Sequence, residues 1–231
     1  VLLSYILREL AHEKDMKGLK VCVTAGPTRE TIDPVRFISN RSTGKMGFAL
    51  AKNAMERGAD VTLVSGPVEL KDVPFVKMVH VESARQMFEA VTKEAETADI
   101  IVKAAAVADY RPAVVADEKI KKKDGDMSIA LERTDDIIGT LGKTKRDNLF
   151  LCGFSMETEH MLENSKAKLE KKNLDMIIAN NVKVKGAGFG TDTNVVTLIT
   201  KDEIKELPIM SKEDVADEIF NNILANRKGI V

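Results

Sequence analysis

Leu19-Lys20-Val21-Cys22-Val23-Thr24, stopped by Ala25-Gly26-Pro27, is a β-rich run that ends in a loop. Beyond that loop, residues 44–57 place Met46, Phe48, Leu50, Ala51, Ala54 and Met55 on an apolar side, and Gly58 ends the segment as a helix C-terminal glycine does. Val61-Thr62-Leu63-Val64 is again a short apolar strand. Strand, helix and strand in this order form a βαβ unit, and that unit decides the fold class.

The same alternation extends outward. Residues 76–81 read as a strand, and Ser83 with Gln86 forms a capping box for a helix bearing Met87, Ala90, Val91 and Ala95. Ile100-Ile101-Val102 and Leu149-Phe150-Leu151-Cys152 are further buried strands. A helix over residues 159–172 leads to Met176-Ile177-Ile178-Ala179. Residues 195–199 and 204–207 read as a late hairpin. Ser211 with Asp214 then opens a last amphipathic helix carrying Val215, Ile219, Ile223 and Leu224. Continuous apolar strands separated by helices predict an α/β, Rossmann-like fold with a mostly parallel sheet and helices on both faces.

One segment interrupts the rhythm. Residues 118–131 alternate on either side of Asp124-Gly125, which predicts an inserted β-hairpin, an excursion over about residues 115–133 suited to a lid or a subunit contact. Residues 1–17 read as a helix and linker, and residues 18–231 as a single domain. A chain beginning at Val1 reads as a piece of a longer protein.

With 35 basic and 36 acidic residues the net charge is −1, which argues against a broad positive field for nucleic acid. No apolar run approaches the roughly 20 residues that span a bilayer, so a cytoplasmic location is expected. Cys22 and Cys152 lie inside apolar runs and read as buried small hydrophobes. His12, His80 and His160 show no metal-ligand or nucleophile spacing, and no role is assigned to them.

Ligands of open parallel sheets bind at the carboxyl ends of strands, near helix N-termini. Two loops sit there. The first, Gly26 to Gly47, ends in the small-residue turn Ser42-Thr43-Gly44 at a helix start, where free backbone N–H groups suit an anion. It is not a Walker A loop, since Ser39 stands at the first glycine position and Met46 follows Lys45. It is too long and too poor in glycine for a dinucleotide fingerprint. By itself it fits an anion site and a structural turn equally. The second, Lys103-Ala104-Ala105-Ala106-Val107-Ala108-Asp109-Tyr110-Arg111-Pro112, has small residues against which a flat ring could lie, with Asp109 as an acceptor or metal contact; ordinary packing also explains them. Lys119 and residues 121–123 fit a solvated face. Lys168 and Lys172, four apart, share one side of their helix.

Taken together, Asp33-Pro34-Val35-Arg36-Phe37-Ile38-Ser39-Asn40, Ser42-Thr43-Gly44-Lys45-Met46-Gly47, residues 104–112, Lys119-Ile120-Lys121-Lys122, Gly153-Phe154 with Glu157-Thr158, and Lys172-Asn173-Leu174-Asp175 through Ala179-Asn180 closely resemble the bacterial phosphopantothenate–cysteine ligases. The resemblance runs in order over about residues 18–226. It implies CTP-dependent ligation of 4′-phosphopantothenate to cysteine through an acyl-cytidylate, with Mg²⁺, in coenzyme A biosynthesis. It also implies a homodimer, and a flavin-dependent decarboxylase fused ahead of the ligase, with residues 1–17 as the connection.

Residue by residue, the resemblance implies that Asn40 holds the acyl-cytidylate and that Arg36 serves the cysteine-dependent half. Gly26, Asn40, Ser42, Gly44, Gly47 and Ala106 would line the phosphopantothenate side. Lys103, Ala104, Ala105, Asp109, Asp135, Asp136, Ile137, Ile138 and Phe154 would contact the nucleotide, with Lys119, Lys168 and Lys172 on its phosphates. No metal ligand is assigned. Thr43 stands where many relatives have Ser, Asp135 replaces a common proline, and Ser155-Met156 replaces an Ala-Ala pair. The rival readings are a nicotinamide-dependent oxidoreductase and a non-catalytic nucleotide-binding module. The first is disfavoured because Val64-Ser65-Gly66-Pro67 has no acidic residue until Glu69.

Overall fold

Along β1 (Lys20–Ala25), Val21 and Val23 enter one apolar cluster while Cys22 enters a second on the opposite face. That two-sided burial, the expected signature of a parallel strand, organises the rest. The computed structural model describes residues 2–122, 125–157, 161–181, 188 and 190–227. Around β1 the chain forms α1 (Leu2–Leu10), β2 (Arg29–Thr31), β3 (Phe37–Ser39), α2 (Lys45–Glu56), β4 (Asp60–Ser65), β5 (Lys77–His80), α3 (Ala84–Ala95) and β6 (Ile100–Lys103). There follow β7 (Tyr110–Pro112), β8 (Leu131–Arg133), α4 (Ile137–Lys143), β9 (Phe150–Glu157), α5 (Met161–Lys171) and β10 (Met176–Asn181). The chain closes with β11 (Thr193–Asn194), β12 (Val196–Ile199), β13 (Ile204–Glu206), β14 (Met210–Ser211) and α6 (Lys212–Asn226).

The main sheet has the order β13-β12-β10-β9-β6-β1-β4-β5. From β10 to β5 every pairing is parallel. The expected late hairpin is present as β12 and β13, paired antiparallel and added antiparallel to β10 as an edge. The α/β, mostly parallel, Rossmann-like reading therefore stands.

One face carries α2 and α6. Leu50, Ala54, Ile219 and Phe220 are fully buried there against Val21, Val23 and Leu63, each large apolar side chain contributing about 1.5–3 kcal/mol. The other face carries α3, α4 and α5 through Met87, Val91, Leu141 and Leu169. The Ser83–Gln86 capping box is formed at α3, and Ser211 Oγ accepts from Asp214 N at 3.0 Å to cap α6. Met16, read from sequence as part of the leading segment, is fully buried, and its N–H donates to Arg57 O at 3.0 Å. Helix α1 has no buried residue; its Tyr5 ring meets Phe75 edge-on at 4.7 Å.

The excursion differs from expectation in its pairing. Its ladder is β7 with β8, at the base, and the described residues 113–122 and 125–130 hold no strand; Lys123 and Asp124 lie outside the described residues. Ala113 N still pairs within the excursion, donating to Ala130 O at 3.0 Å. Along the strap of residues 114–122 two backbone donors turn elsewhere: Ala116 N donates to Ile32 O at 3.0 Å and Ile120 N to Asp33 Oδ2 at 3.1 Å. An isolated two-stranded ribbon is marginal in water, and docking on the β2–β3 ribbon replaces it.

Candidate functional site

The chain moves from β1 outward to β4 and β5, then crosses back to β6 on the other side of β1. This reversal opens a crevice at the carboxyl ends of β1 and β6, where ligands of such sheets lie. Two buried threonines hold the diverging loops together. Thr24 Oγ1 accepts from Ala105 N and Thr28 Oγ1 from Ala108 N, both at 3.0 Å. Ala106 N donates to Gly26 O at 2.9 Å. From the end of β3, Ser39 Oγ donates to Thr28 O, and just beyond it the Asn40 amide nitrogen donates to Ala106 O, both at 2.8 Å.

Helix α2 points its start at this crevice. Its N-cap, Gly44, has φ +80°, a left-handed conformation that favours glycine, and no side chain caps the first turn. Gly47 serves packing. A Cβ there would lie 2.5 Å from Ala25 Cβ and 2.8 Å from Thr24 O, so the helix rests directly on β1.

Two cavities result. The first, ≈ 320 Å³, is lined by the expected Asn40, Ser42, Gly44, Gly47, Ala104, Ala105, Ala106, Asp109 and Phe154. The second, ≈ 330 Å³, brings together the expected Lys103, Asp109, Asp135, Asp136, Ile137 and Lys172. Val107 and Asp109 line both, so the two are neighbouring compartments with a shared wall.

The second compartment sets three cations, Lys103, Arg133 and Lys172, beside three carboxylates, Asp109, Asp135 and Asp136. Burial pushes the Lys103 ammonium below its ordinary value, and the nearby Lys172 and Lys168 push the same way against Asp109 and Asp136. Lys172 Nζ pairs with Asp136 Oδ2 at 2.9 Å. Asp136 also caps α4, accepting from Gly139 N at 3.1 Å. Burial raises its carboxyl, but these two bonds outweigh it and hold it below the usual range. Close approach sets the pairing. A Cβ on Gly142 of α4 would lie 1.8 Å from Lys172 O, so only glycine lets α4 sit against the end of α5.

Five expected residues line neither cavity. Gly26 packs beneath the loop at Gly66 and Val68. Ile138 is buried under Gly153. Lys168 donates to Ser155 Oγ at 3.4 Å, beside the first cavity. Arg36 is paired with Asp33, whose carboxyl its guanidinium holds well below the carboxylate range. Lys119 is exposed on the strap.

The first cavity also has walls that sequence reading left unassigned: Lys45, Asn180, Asn194 and Lys212. Asn180 stands near the carboxyl end of β10, which is a positional signal. Lys212 gives none. Its 5 % exposure follows from the loop around β11, where it donates to Gly188 O and Thr191 O. Burial and the neighbouring Lys45 push its ammonium down. Lys45 itself pairs with Asp192 at 2.7 Å.

Among the described residues no three His, Cys, Asp or Glu side chains assemble as a metal site. His80 pairs with Asp72 on the surface, His12 lies near Glu56 and Asp217, and His160 falls outside the described residues, as do Thr158 and Lys123. Cys22 and Cys152 are buried, and burial pushes both thiols up, Cys22 to about 12. No helix among the described residues is long and apolar enough to cross a membrane.

The chain is 52 % identical over 216 residues to the coenzyme A biosynthesis bifunctional protein CoaBC of Bacillus subtilis (strain 168), covering 92 % of this chain and 53 % of that protein. It is 45 % identical over 213 residues to the CoaBC of Escherichia coli (strain K12), covering 91 % and 52 %. It thus spans about half the length of these curated relatives. The crystal structure of the C-terminal domain of a CoaBC superposes with a TM-score of 0.77 at 44 % identity, covering 90 % of this chain and 95 % of that one. The family described as DNA/pantothenate metabolism flavoprotein C-terminal domain matches residues 16–226, and the chain belongs to it.

Proposed function

We propose that this domain joins 4′-phosphopantothenate to cysteine at the expense of CTP. The observation that carries the reading is the shared wall at Val107 and Asp109 between a helix-start compartment and one that gathers Lys103, Arg133 and Lys172. Ligation through an acyl-nucleotide needs that arrangement, because a carboxylate and a triphosphate must meet although they repel. The coenzyme A biosynthesis named for the relatives at 52 % and 45 % identity supports the same pathway step.

In the first half-reaction the phosphopantothenate carboxylate oxygen attacks the α-phosphorus of CTP, and pyrophosphate leaves. The uncapped start of α2 with Ser42 would face the phosphopantothenate, while Lys103 and Lys172 would offset the charge of the triphosphate. The Asn40 amide would hold the acyl-cytidylate. In the second half-reaction the cysteine amine attacks the acyl carbon, loses its proton and displaces CMP. No covalent enzyme intermediate is required. Magnesium would travel with the triphosphate, since the described residues build no cage of their own for it. A homodimer in the cytoplasm, with a fused flavin-dependent decarboxylase half in the whole protein, completes the reading.

The test is pyrophosphate release with CTP, phosphopantothenate, cysteine and Mg²⁺, omitting each in turn. The expected result is release that needs CTP, phosphopantothenate and Mg²⁺, and phosphopantothenoylcysteine only when cysteine is added. ATP working as well as CTP would overturn the base assignment, and preferential binding of NADH would overturn the whole reading.

A further inference from the structure

The turn between β2 and β3 uses one carboxylate for two different purposes. Asp33, 1 % exposed, accepts at Oδ1 from Val35 N and Arg36 N, both at 2.9 Å, and these bonds suffice to make the turn. Its second oxygen is not needed for that. Oδ2 accepts instead from the Arg36 guanidinium, with Nε at 2.9 Å, and from Ile120 N at 3.1 Å, 87 residues along the chain. The same guanidinium donates to Ile120 O at 2.8 Å. Both backbone groups of Ile120 are thus held by a side-chain pair, much as a neighbouring strand would hold them. Four residues earlier, Ala116 N is held by Ile32 O. Lys119 lies between these two anchor points, exposed and without an ion pair to any described residue.

We propose that Asp33 is a positioning residue: with Arg36 it clasps the strap at Ile120 and so fixes where the Lys119 ammonium stands. The proposal rests on the ligase reading for what Lys119 does, while the clasp itself rests on the geometry alone. Arg36 is then not simply a cation beside a substrate. Its charge is shared with Asp33, and its fork joins two segments that the sequence keeps far apart.

Asp33→Asn separates the two purposes. The amide keeps one oxygen for the Val35 and Arg36 N–H groups but turns an NH₂ toward the Ile120 N–H and the guanidinium, donor against donor. The strap is read by brief trypsin digestion of the folded protein, with cleavage after Lys119, Lys121 and Lys122 followed by mass spectrometry. Release of the clasp is expected to speed this cleavage about 10–100-fold, the scale of one hydrogen bond to a charged group. The functional arm compares Lys119→Gln in both backgrounds. It should raise the KM for CTP in the wild type and add little on top of Asp33→Asn, because coupled residues are non-additive.

An unchanged cleavage rate overturns the clasp. Faster cleavage with an undiminished Lys119→Gln effect overturns the positioning role. Absence of pyrophosphate release in the wild type sinks the ligase reading and the role of Lys119 with it, and the tryptic arm still reports separately on the clasp. Should Asp33→Asn melt at room temperature, Arg36→Lys replaces it with the same expectations, since it leaves both Oδ1 bonds intact and removes the fork.

Discussion

The Asn40 amide nitrogen donates to the Ala106 carbonyl oxygen at 2.8 Å, so the loop before α2 and the loop after β6 are tied at the cleft itself. Asn40→Asp is nearly isosteric but sets a carboxylate against that carbonyl and beside the position proposed for the acyl-cytidylate. Loss of one preorganised donor costs about 10²–10³ in rate, so product formation should fall at least roughly 100-fold. The lost exposed bond should lower Tm by only about 2–4 °C in a domain of this size. A folded variant with near-normal turnover would remove Asn40 from the site.

Gly47 tests packing against ligand access. A methyl group there would meet Ala25 Cβ and Thr24 O inside normal contact distance, and both neighbours belong to the central strand. Gly47→Ala should therefore destabilise the fold by about 1–3 kcal/mol, as overpacking does, seen as a reduced urea midpoint. Were its glycine needed only for ligand approach, the midpoint would stay and KM alone would rise.

The β1–α2–β4 unit was legible because its apolar runs are unbroken and its helix is long. The β2–β3 ribbon was not. Its strands have three residues each, and Glu30 breaks the polarity pattern by being buried, where it accepts from Ala84 N at 2.8 Å and steadies the start of α3. Helix α4 was hidden too, being seven residues long with glycines at 139 and 142, both poor helix formers. For the candidate site, the two loops that follow β1 and β6 were readable from the alternation of strands and helices. The wall formed by Lys212 was not, because its burial depends on how the loop around β11 folds over it.

The strap side of the domain exposes Phe37, Tyr110, Val115, Leu131 and, at 81 %, Val114. Apolar exposure of this kind marks an interaction surface, and a second copy is the proposed occupant. Light scattering at micromolar concentration should give a dimer for the wild type and a monomer for Val114→Glu, with Tm of the monomer domain little changed. A monomeric wild type would refute the assembly.

Lys172 and Asp136 face each other across the second compartment at 2.9 Å, and their substitutions should act in opposite directions on CTP. Lys172→Gln removes a cation and leaves Asp136 uncompensated beside the proposed triphosphate, so attraction is lost and repulsion is gained. A charged hydrogen bond is worth about 1.5–3 kcal/mol, which corresponds to a rise in the KM for CTP of about tenfold or more. Asp136→Asn keeps an effective helix cap toward Gly139 N, since Asn and Asp cap comparably, while releasing Lys172 to the ligand. Its KM for CTP should stay level or fall, with α4 intact by circular dichroism. Added salt should shrink the difference between the two variants, because the pair is partly exposed and its field is screened. If both substitutions raised KM equally, the pair would be acting as a structural bridge between α4 and the end of α5, and the second compartment would lose its assignment to the triphosphate.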